Sequence, residues 1–139
     1  MGLKLEEAQA IVAAALKYAR AKGLKPMGFV VLDERGALRA AAAEDGTSLA
    51  RWKVAYGKAN GALSMGVSSR KLNDMAVERP HFIASLASVF GEGLVPVPGG
   101  VPILDDAGAI VGAAGASGDT SDNDEAALVA AIAEAGLKS

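Results

Sequence analysis

The fold of this chain is constrained most by two pairs of short apolar runs, each pair separated by a few residues typical of a tight turn. The paired runs are Met27 to Asp33 with Ala37 to Ala43, and Val101 to Leu104 with Ala109 to Gly115. Each pair is joined by three or four residues that include charged residues and a glycine. Strands joined by turns this short pair antiparallel. The sequence therefore predicts two β-hairpins and an antiparallel sheet.

The remaining segments carry helical patterns, with apolar residues spaced three and four apart. Helices are predicted over Leu5 to Lys22, Leu49 to Met65, Ser68 to Glu78, Pro80 to Phe90 and Asp122 to Ala135. Glycines and prolines crowd Gly91 to Pro102, which predicts a loop with at most a short strand. Helices segregated from hairpins indicate an α+β fold, with helices packed on the faces of the sheet.

Individual residues predict how two of the helices begin and how closely one of them packs. Thr47 or Ser48 is expected to cap the second helix, and Asp122 with Glu125 has the form of a capping box for the last one. Gly57 and Gly61, four residues apart, would let another backbone approach the second helix closely.

Composition narrows the class of protein. The 139 residues suit one domain spanning the whole chain, and a net charge of −2 without a basic stripe argues against nucleic acid. The chain has no cysteine, no secretory leader pattern and no apolar run of membrane-spanning length, so we expect a cytoplasmic protein without a membrane partner. Hydrophobic residues make up 51% of the chain and many are alanine, which predicts subunit contacts in a homo-oligomer.

Three segments resemble the GlcG/HbpS-like, or haem-degrading, family. They are PGGVPI at Pro98 to Ile103, AIVGAAGASGD at Ala109 to Asp119 with the acidic helix start after it, and FVVLDERGAL at Phe29 to Leu38. Lys53 matches a lysine that is common in the second helix of that family. One departure is Ala43, which precedes Asp45 at a position where an arginine is often found.

The resemblance implies a profilin-like fold with an antiparallel sheet of about five strands, and assembly into homo-oligomers. It also implies a small-molecule ligand, which in some relatives is haem or a related tetrapyrrole. Other relatives are linked to glycolate or aromatic-compound pathways, including a lyase that acts on hydroxylamino-aromatic acids. Haem is therefore a possible cofactor of this chain.

Glycine-rich turns form the first candidate site. Gly112, Gly115 and Gly118 run into the last helix, whose N-terminus carries the positive end of its dipole. Backbone amides freed by glycines can bind a carboxylate. We expect the Pro98-Gly99-Gly100 loop to meet the Gly115 to Asp119 turn beside Lys53, and to bind a ligand there. The alternative is that these glycines serve close packing between sheet and helix.

A polar face of the second helix forms another candidate. Lys53, Tyr56 and Asn60 share this face, and a lysine with a tyrosine could hold an anionic substrate or move protons. The alternative is an ordinary solvent-exposed face.

His81, the single histidine, lies two residues after Arg79 at the start of a helix. Imidazole can exchange protons near neutral pH or ligate haem iron, and Arg79 could bind an anionic ligand. The alternative is a surface or capping histidine. Acidic residues near the last helix lack the calcium-loop spacing, and one histidine without cysteine argues against zinc, so we expect no metal site.

Three functions remain open at this point. The first is a domain that binds a flat, carboxylate-bearing compound. The second is a metal-independent lyase or isomerase acting on a small aromatic or hydroxy acid, with Lys53, Tyr56 and His81 as catalytic groups. The third is an oligomeric scaffold. Aromatic residues make up 4% of the chain, which argues mildly against a dedicated haem pocket.

Overall fold

The computed structural model describes residues 2–91 and 93–139. Its elements are α1 (Leu5–Ala21), β1 (Gly28–Asp33), β2 (Leu38–Ala43), α2 (Arg51–Met65), α3 (Ser69–Glu78), α4 (Pro80–Phe90), β3 (Gly100–Leu104), β4 (Ile110–Ser117) and α5 (Ser121–Glu134). The predicted α+β fold and its order of elements are confirmed. Glu92, within the predicted loop, lies outside the described residues.

Both predicted hairpins form and join into one antiparallel sheet with the strand order β2-β1-β4-β3. The expectation of about five strands is wrong, because the sheet built from the described residues has four. The segment before β3 contributes no strand, since the Val95 amide donates to the Gly57 carbonyl of α2. The likeness to profilin stays a prediction.

The sheet separates two hydrophobic layers. Side chains of a strand alternate between faces, so Phe29 and Val31 pack with α1 and α5 while Val30 and Leu32 pack with α2. All four are buried, and each contributes about 1.5–3 kcal/mol relative to an exposed side chain. None of the helices in the described part of the chain combines the length and the apolar character that crossing a bilayer requires.

Two predicted helix caps are wrong. Helix α2 starts from Ala50, without a side-chain cap, because the Thr47 hydroxyl donates to the Glu44 carbonyl instead. Helix α5 starts one residue earlier than expected, because the Thr120 hydroxyl accepts a hydrogen bond from the Asn123 amide. An N-cap residue is the last non-helical residue before a helix. Neighbouring Ser, Thr and Asp residues can each take this position, and the local sequence does not decide between them.

The close backbone approach predicted at Gly57 and Gly61 is confirmed at Gly57, whereas Gly61 is contacted by side chains of Leu94 and Leu72. The segment from Gly93 to Val97 lies across the outer side of α2, with Val95 against Gly57 and Leu94 against Gly61. Helix α2 is thus enclosed between the sheet and this segment, and most of its central turns are buried.

Candidate ligand-binding site

The two glycine-bearing turns do meet, as the sequence predicts. Gly100, the first residue of β3, pairs with Gly115 of β4, and the Ala116 amide donates to the Gly99 carbonyl at 2.8 Å. The Pro98-Gly99-Gly100 loop therefore adjoins the end of β4 and the turn into α5. This contact continues the pairing of β3 with β4 by one residue.

A buried ion pair lies beneath this junction. The Lys58 ammonium of α2 is 3.1 Å from the Asp124 carboxylate of α5, and the two side chains are 3% and 2% exposed. Lys58 Nζ also donates to the Ala116 carbonyl at 2.9 Å, and Asp124 Oδ1 accepts from the Asp119 amide at 2.9 Å. The Lys58–Asp124 pair thereby connects α2, β4 and α5.

The anion expected at the start of α5 is thus part of the protein itself. Asp124 occupies the first turn of α5, where the helix dipole favours negative charge. The Gly100 amide donates to the buried Ser69 hydroxyl oxygen at 2.6 Å, and the Asp119 amide donates to the Asp124 carboxylate. These amides therefore already have partners within the fold.

Lys58, and not Lys53, supplies the positive charge at this junction. Lys53 is exposed, and its ammonium lies 5.9 Å from the centre of the Trp52 ring. Burial lowers the pKa of Lys58 below its usual value, while the charge of Asp124 acts in the opposite direction. This ion pair was not predicted from the sequence. The sequence pattern that could have indicated the pair is a lysine and an aspartate on the apolar faces of two different helices.

Close packing accounts for the central glycines. A Cβ atom at Gly115 would overlap the Ala55 carbonyl oxygen, and one at Gly100 would overlap the Lys58 carbonyl. Both glycines let α2 lie directly on the sheet. A side chain at Gly118 would overlap the Pro26 carbonyl oxygen in the same way. The structure therefore favours the packing alternative, and a ligand-binding role for Gly99, Gly100, Gly115 and Gly118 stays a prediction.

Asp119 organises the turn between β4 and α5. Hydrogen bonds from the Lys25 amide, the Asn123 side chain and the Thr120 amide lower the pKa of its carboxyl group to about 2. All three donors belong to the chain itself. Asp119 thus ties the start of α5 to the segment that leads into β1.

The acid sensitivity of the fold should reflect Asp119. Because the folded-state pKa of Asp119 lies below the usual aspartate value of 3.8, its contribution to stability is present above that pH and is lost as the pH falls toward about 2. We expect Asp119→Asn to flatten the dependence of unfolding free energy on pH in this window. An NMR titration should give a carboxyl midpoint near 2, and a midpoint near 3.8 would contradict the assignment.

The predicted catalytic residues are divided between two helices. Lys53 and Tyr56 lie on α2, where Tyr56 is half-buried and packs on the hydrophobic cluster between α2 and the sheet. His81 lies on α4, which packs on α3 through a separate core of Leu72, Ile83 and Leu86. Asn60 donates to the Gly93 carbonyl at 2.9 Å and so holds the segment over α2.

A groove of about 490 Å³ lies along α3 and ends at Arg79, the residue before α4. We call it the α3–α4 groove, and it is lined by Lys71, Asp74, Met75, Val77, Glu78 and Arg79. Arg79 is also the residue from which α4 starts, and its guanidinium stacks on Phe82 at 4.4 Å from the ring centre. Arg79 thus lines the groove, and His81, two residues later at the start of α4, is exposed.

Comparisons with known proteins agree on the fold. HbpS from Streptomyces reticuli, as a double mutant, is 26% identical with a TM-score of 0.84, over 96% of this chain and 87% of that one. PduOC in complex with haem is 22% identical with a TM-score of 0.86, over 99% of this chain and 97% of that one. The protein ORFY of Klebsiella pneumoniae is 21% identical with a TM-score of 0.86, over 96% and 90% of the two chains.

Sequence comparison assigns the family. A search among curated proteins finds no match. The model of the family described as "Haem degrading protein HbpS-like" matches residues 3–133, which is nearly the whole chain. This match includes both hairpins, the Lys58–Asp124 pair and the α3–α4 groove. The chain therefore belongs to the HbpS-like family.

Proposed function

We propose that this protein binds a flat, carboxylate-bearing small molecule, such as haem or a related tetrapyrrole, in the α3–α4 groove. The observation that carries the proposal is a groove that ends at Arg79, two residues before the exposed His81, the single histidine of the chain. Its volume of about 490 Å³ lies within the range of roughly 300–1,000 Å³ found for small-molecule pockets. Membership of the HbpS-like family and the fold shared with PduOC, whose complex with haem is known, support the same class of ligand.

The residues of the groove fit such a ligand. Met75 and the 78% exposed Val77 offer apolar surface for a flat ring, and Lys71 with Arg79 can pair with its carboxylates. Asp74 and Glu78 repel carboxylates, so the acid groups of the ligand would lie toward the two cations.

His81 would hold a haem iron through an imidazole nitrogen, since the chain has no cysteine and imidazole is a common axial ligand of haem iron. A bound haem would supply a redox-active iron. The chain's own contribution is to fix the iron through His81 and to orient the ring through Lys71 and Arg79.

Haem titration tests the proposal. We expect the wild-type protein to shift the Soret band of added haem, and His81→Ala to abolish this shift because the iron loses its ligand. Arg79→Met should weaken binding about two- to five-fold, as expected for an exposed ion pair.

Lys53→Met is the matched control, because it removes a positive charge from an exposed helical position away from the groove. It should bind haem as the wild type does. Equal Soret shifts in wild type and His81→Ala would show that the histidine does not bind iron. Weaker binding by Lys53→Met would instead favour a site on α2.

A further inference from the structure

A long groove, which we call the α1–β2 groove, lies between α1 and β2 on the face of the sheet opposite α2. It consists of two adjoining parts of about 290 and 480 Å³, and Leu16 contributes to both. Its lining extends on α1 from Gln9 to Arg20, and on β2 and the residues after it from Arg39 to Asp45. These stretches correspond to roughly 16 Å of helix and roughly 20 Å of extended chain. The groove therefore suits an elongated ligand.

The floor of the α1–β2 groove is aliphatic. Val12 and Leu16 lie four residues apart on one face of α1, and Ala40 and Ala42 point toward the same hydrophobic cluster from β2. The short alanine side chains leave the space between helix and strand unfilled. Among the described residues that line the two parts, none is aromatic. Such a floor is suited to an alkyl chain, whose burial removes apolar surface from water.

One end of the groove carries a guanidinium with unused donors. Arg39 lines this end, and its Nη1 donates to the Leu3 carbonyl at 3.0 Å and to the Asp33 carboxylate at 3.5 Å. Within residues 2–91 and 93–139, its Nε and Nη2 make no hydrogen bond. No buried side-chain nitrogen of this part of the chain lacks a partner, so both atoms are accessible from outside.

The carboxylates near Arg39 act mainly on its neighbour Arg35. Asp33 is 3.0 Å from the Arg35 guanidinium and 3.5 Å from that of Arg39, and two backbone amides also donate to it. The charge of Glu34 likewise acts on Arg35. Arg39 therefore keeps one long ion pair through Nη1, which holds the guanidinium in place while its other donors remain available to an anion.

The opposite end of the groove has the reverse character. Arg20 lines it, but its Nε and Nη2 already donate to the Glu44 carboxylate, and Nη2 also donates to two backbone carbonyls. The exposed Asp45 adds a negative charge at this end. A carboxylate would thus be attracted to the end with Arg39 and repelled from the end with Asp45, which fixes the direction of the ligand.

We propose that the α1–β2 groove binds a free aliphatic carboxylic acid, with the carboxylate on Nε and Nη2 of Arg39 and the alkyl chain along Leu16, Ala40 and Ala42. A guanidinium offers two parallel N–H donors that match the two oxygens of a carboxylate. The alkyl chain covers the aliphatic floor. This site is separate from the α3–α4 groove, and the inference does not depend on the ligand proposed there.

Calorimetric titration with octanoate and octanol tests the role of the charge. We expect the wild type to bind octanoate saturably, with one site per chain. Arg39→Met should bind it about five-fold more weakly, the upper end of the effect of an exposed ion pair. Octanol has the same chain length without a charge, so it should bind wild type and Arg39→Met equally. Arg35→Met is the matched control, because it removes the other guanidinium at Asp33, and it should bind octanoate as the wild type does.

Filling the groove tests the location. Ala40→Leu places a larger side chain on the floor and should abolish binding of octanoate and octanol alike. Ala133→Leu, at an exposed alanine of α5, is the matched control and should bind both. In NMR spectra of the wild type, octanoate should shift the methyl signals of Val12 and Leu16. His81→Ala should bind octanoate as the wild type does.

Four results would overturn the proposal. The first is uptake of octanoate without saturation, and the second is equal affinity of wild type and Arg39→Met for it. The third is loss of octanoate binding in His81→Ala, which would place the acid in the α3–α4 groove. The fourth is a wild type that does not bind octanoate while Ala40→Leu has a lower mass in light scattering, which would show that a second copy of the chain occupies the groove.

Discussion

Replacing Lys58 by methionine should cost about 3–5 kcal/mol of unfolding free energy, the effect of leaving one charge of a buried pair without its partner. Asp124 is 2% exposed, and without the ammonium at 3.1 Å its carboxylate would be uncompensated between α2 and α5. A domain of this kind has about 5–15 kcal/mol of stability in total. Urea unfolding followed by circular dichroism should therefore show a large decrease in the midpoint of Lys58→Met.

Lys53→Met is the matched control for this prediction, since it makes the same substitution five residues earlier in α2 at an exposed position. Its effect should stay within about 0.5 kcal/mol. The double variant Lys58→Met with Asp124→Asn removes both charges, and the asparagine oxygen can still accept the Asp119 amide. It should be more stable than Lys58→Met alone. Equal losses from Lys58→Met and Lys53→Met would show that Lys58 does not compensate Asp124.

Gly115→Ala should destabilise the fold by about 3 kcal/mol, the upper end of the usual effect of overpacking. The added Cβ would overlap the Ala55 carbonyl oxygen, so α2 would have to move away from β4. Because Gly100 supports the same helix at Lys58, such a movement would also disturb the Lys58–Asp124 pair. Thermal unfolding should show a lower midpoint, accompanied by loss of near-ultraviolet signal from Trp52.

Gly28→Ala provides a graded comparison on the neighbouring strand. A Cβ there would lie 3.1 Å from the Trp52 amide nitrogen, a tight contact that a small shift can relieve. We expect a cost below about 1 kcal/mol. If Gly115→Ala were as stable as Gly28→Ala, the glycine of β4 would not be required for packing, and its predicted role in ligand binding would gain support.

The hairpins and helices could be predicted because their signals are local. Short apolar runs joined by a charged turn with a glycine predict two paired strands over Met27 to Ala43. The same holds for Val101 to Gly115, and the structure differs from these boundaries by one or two residues. Gly57 and Gly61 likewise indicated a close backbone contact, although not that the contacting residues would be Leu94 and Val95.

The candidate site was harder to predict because its chemistry depends on distant residues. Glycines and a helix N-terminus predicted a site for an anionic ligand at the start of α5, and the structure shows the carboxylate of Asp124 there, paired with Lys58. A sequence does not show whether such an anion is a ligand or a side chain. The choice between Lys53 and Lys58 depends on the rotation of α2 about its axis, which the packing of Ala55, Ala59 and Ala62 on the sheet sets.

The sequence by itself determined the antiparallel hairpins, the order of helices and strands and, through its resemblance, the HbpS-like family. These follow from propensities and short-range patterns that each segment carries alone. Only the tertiary structure decided that Lys58 is buried against Asp124 and that Arg79, two residues before His81, lines a groove. It also decided that β2 is an open edge, because strand order, like burial, is set by contacts between segments far apart in the chain.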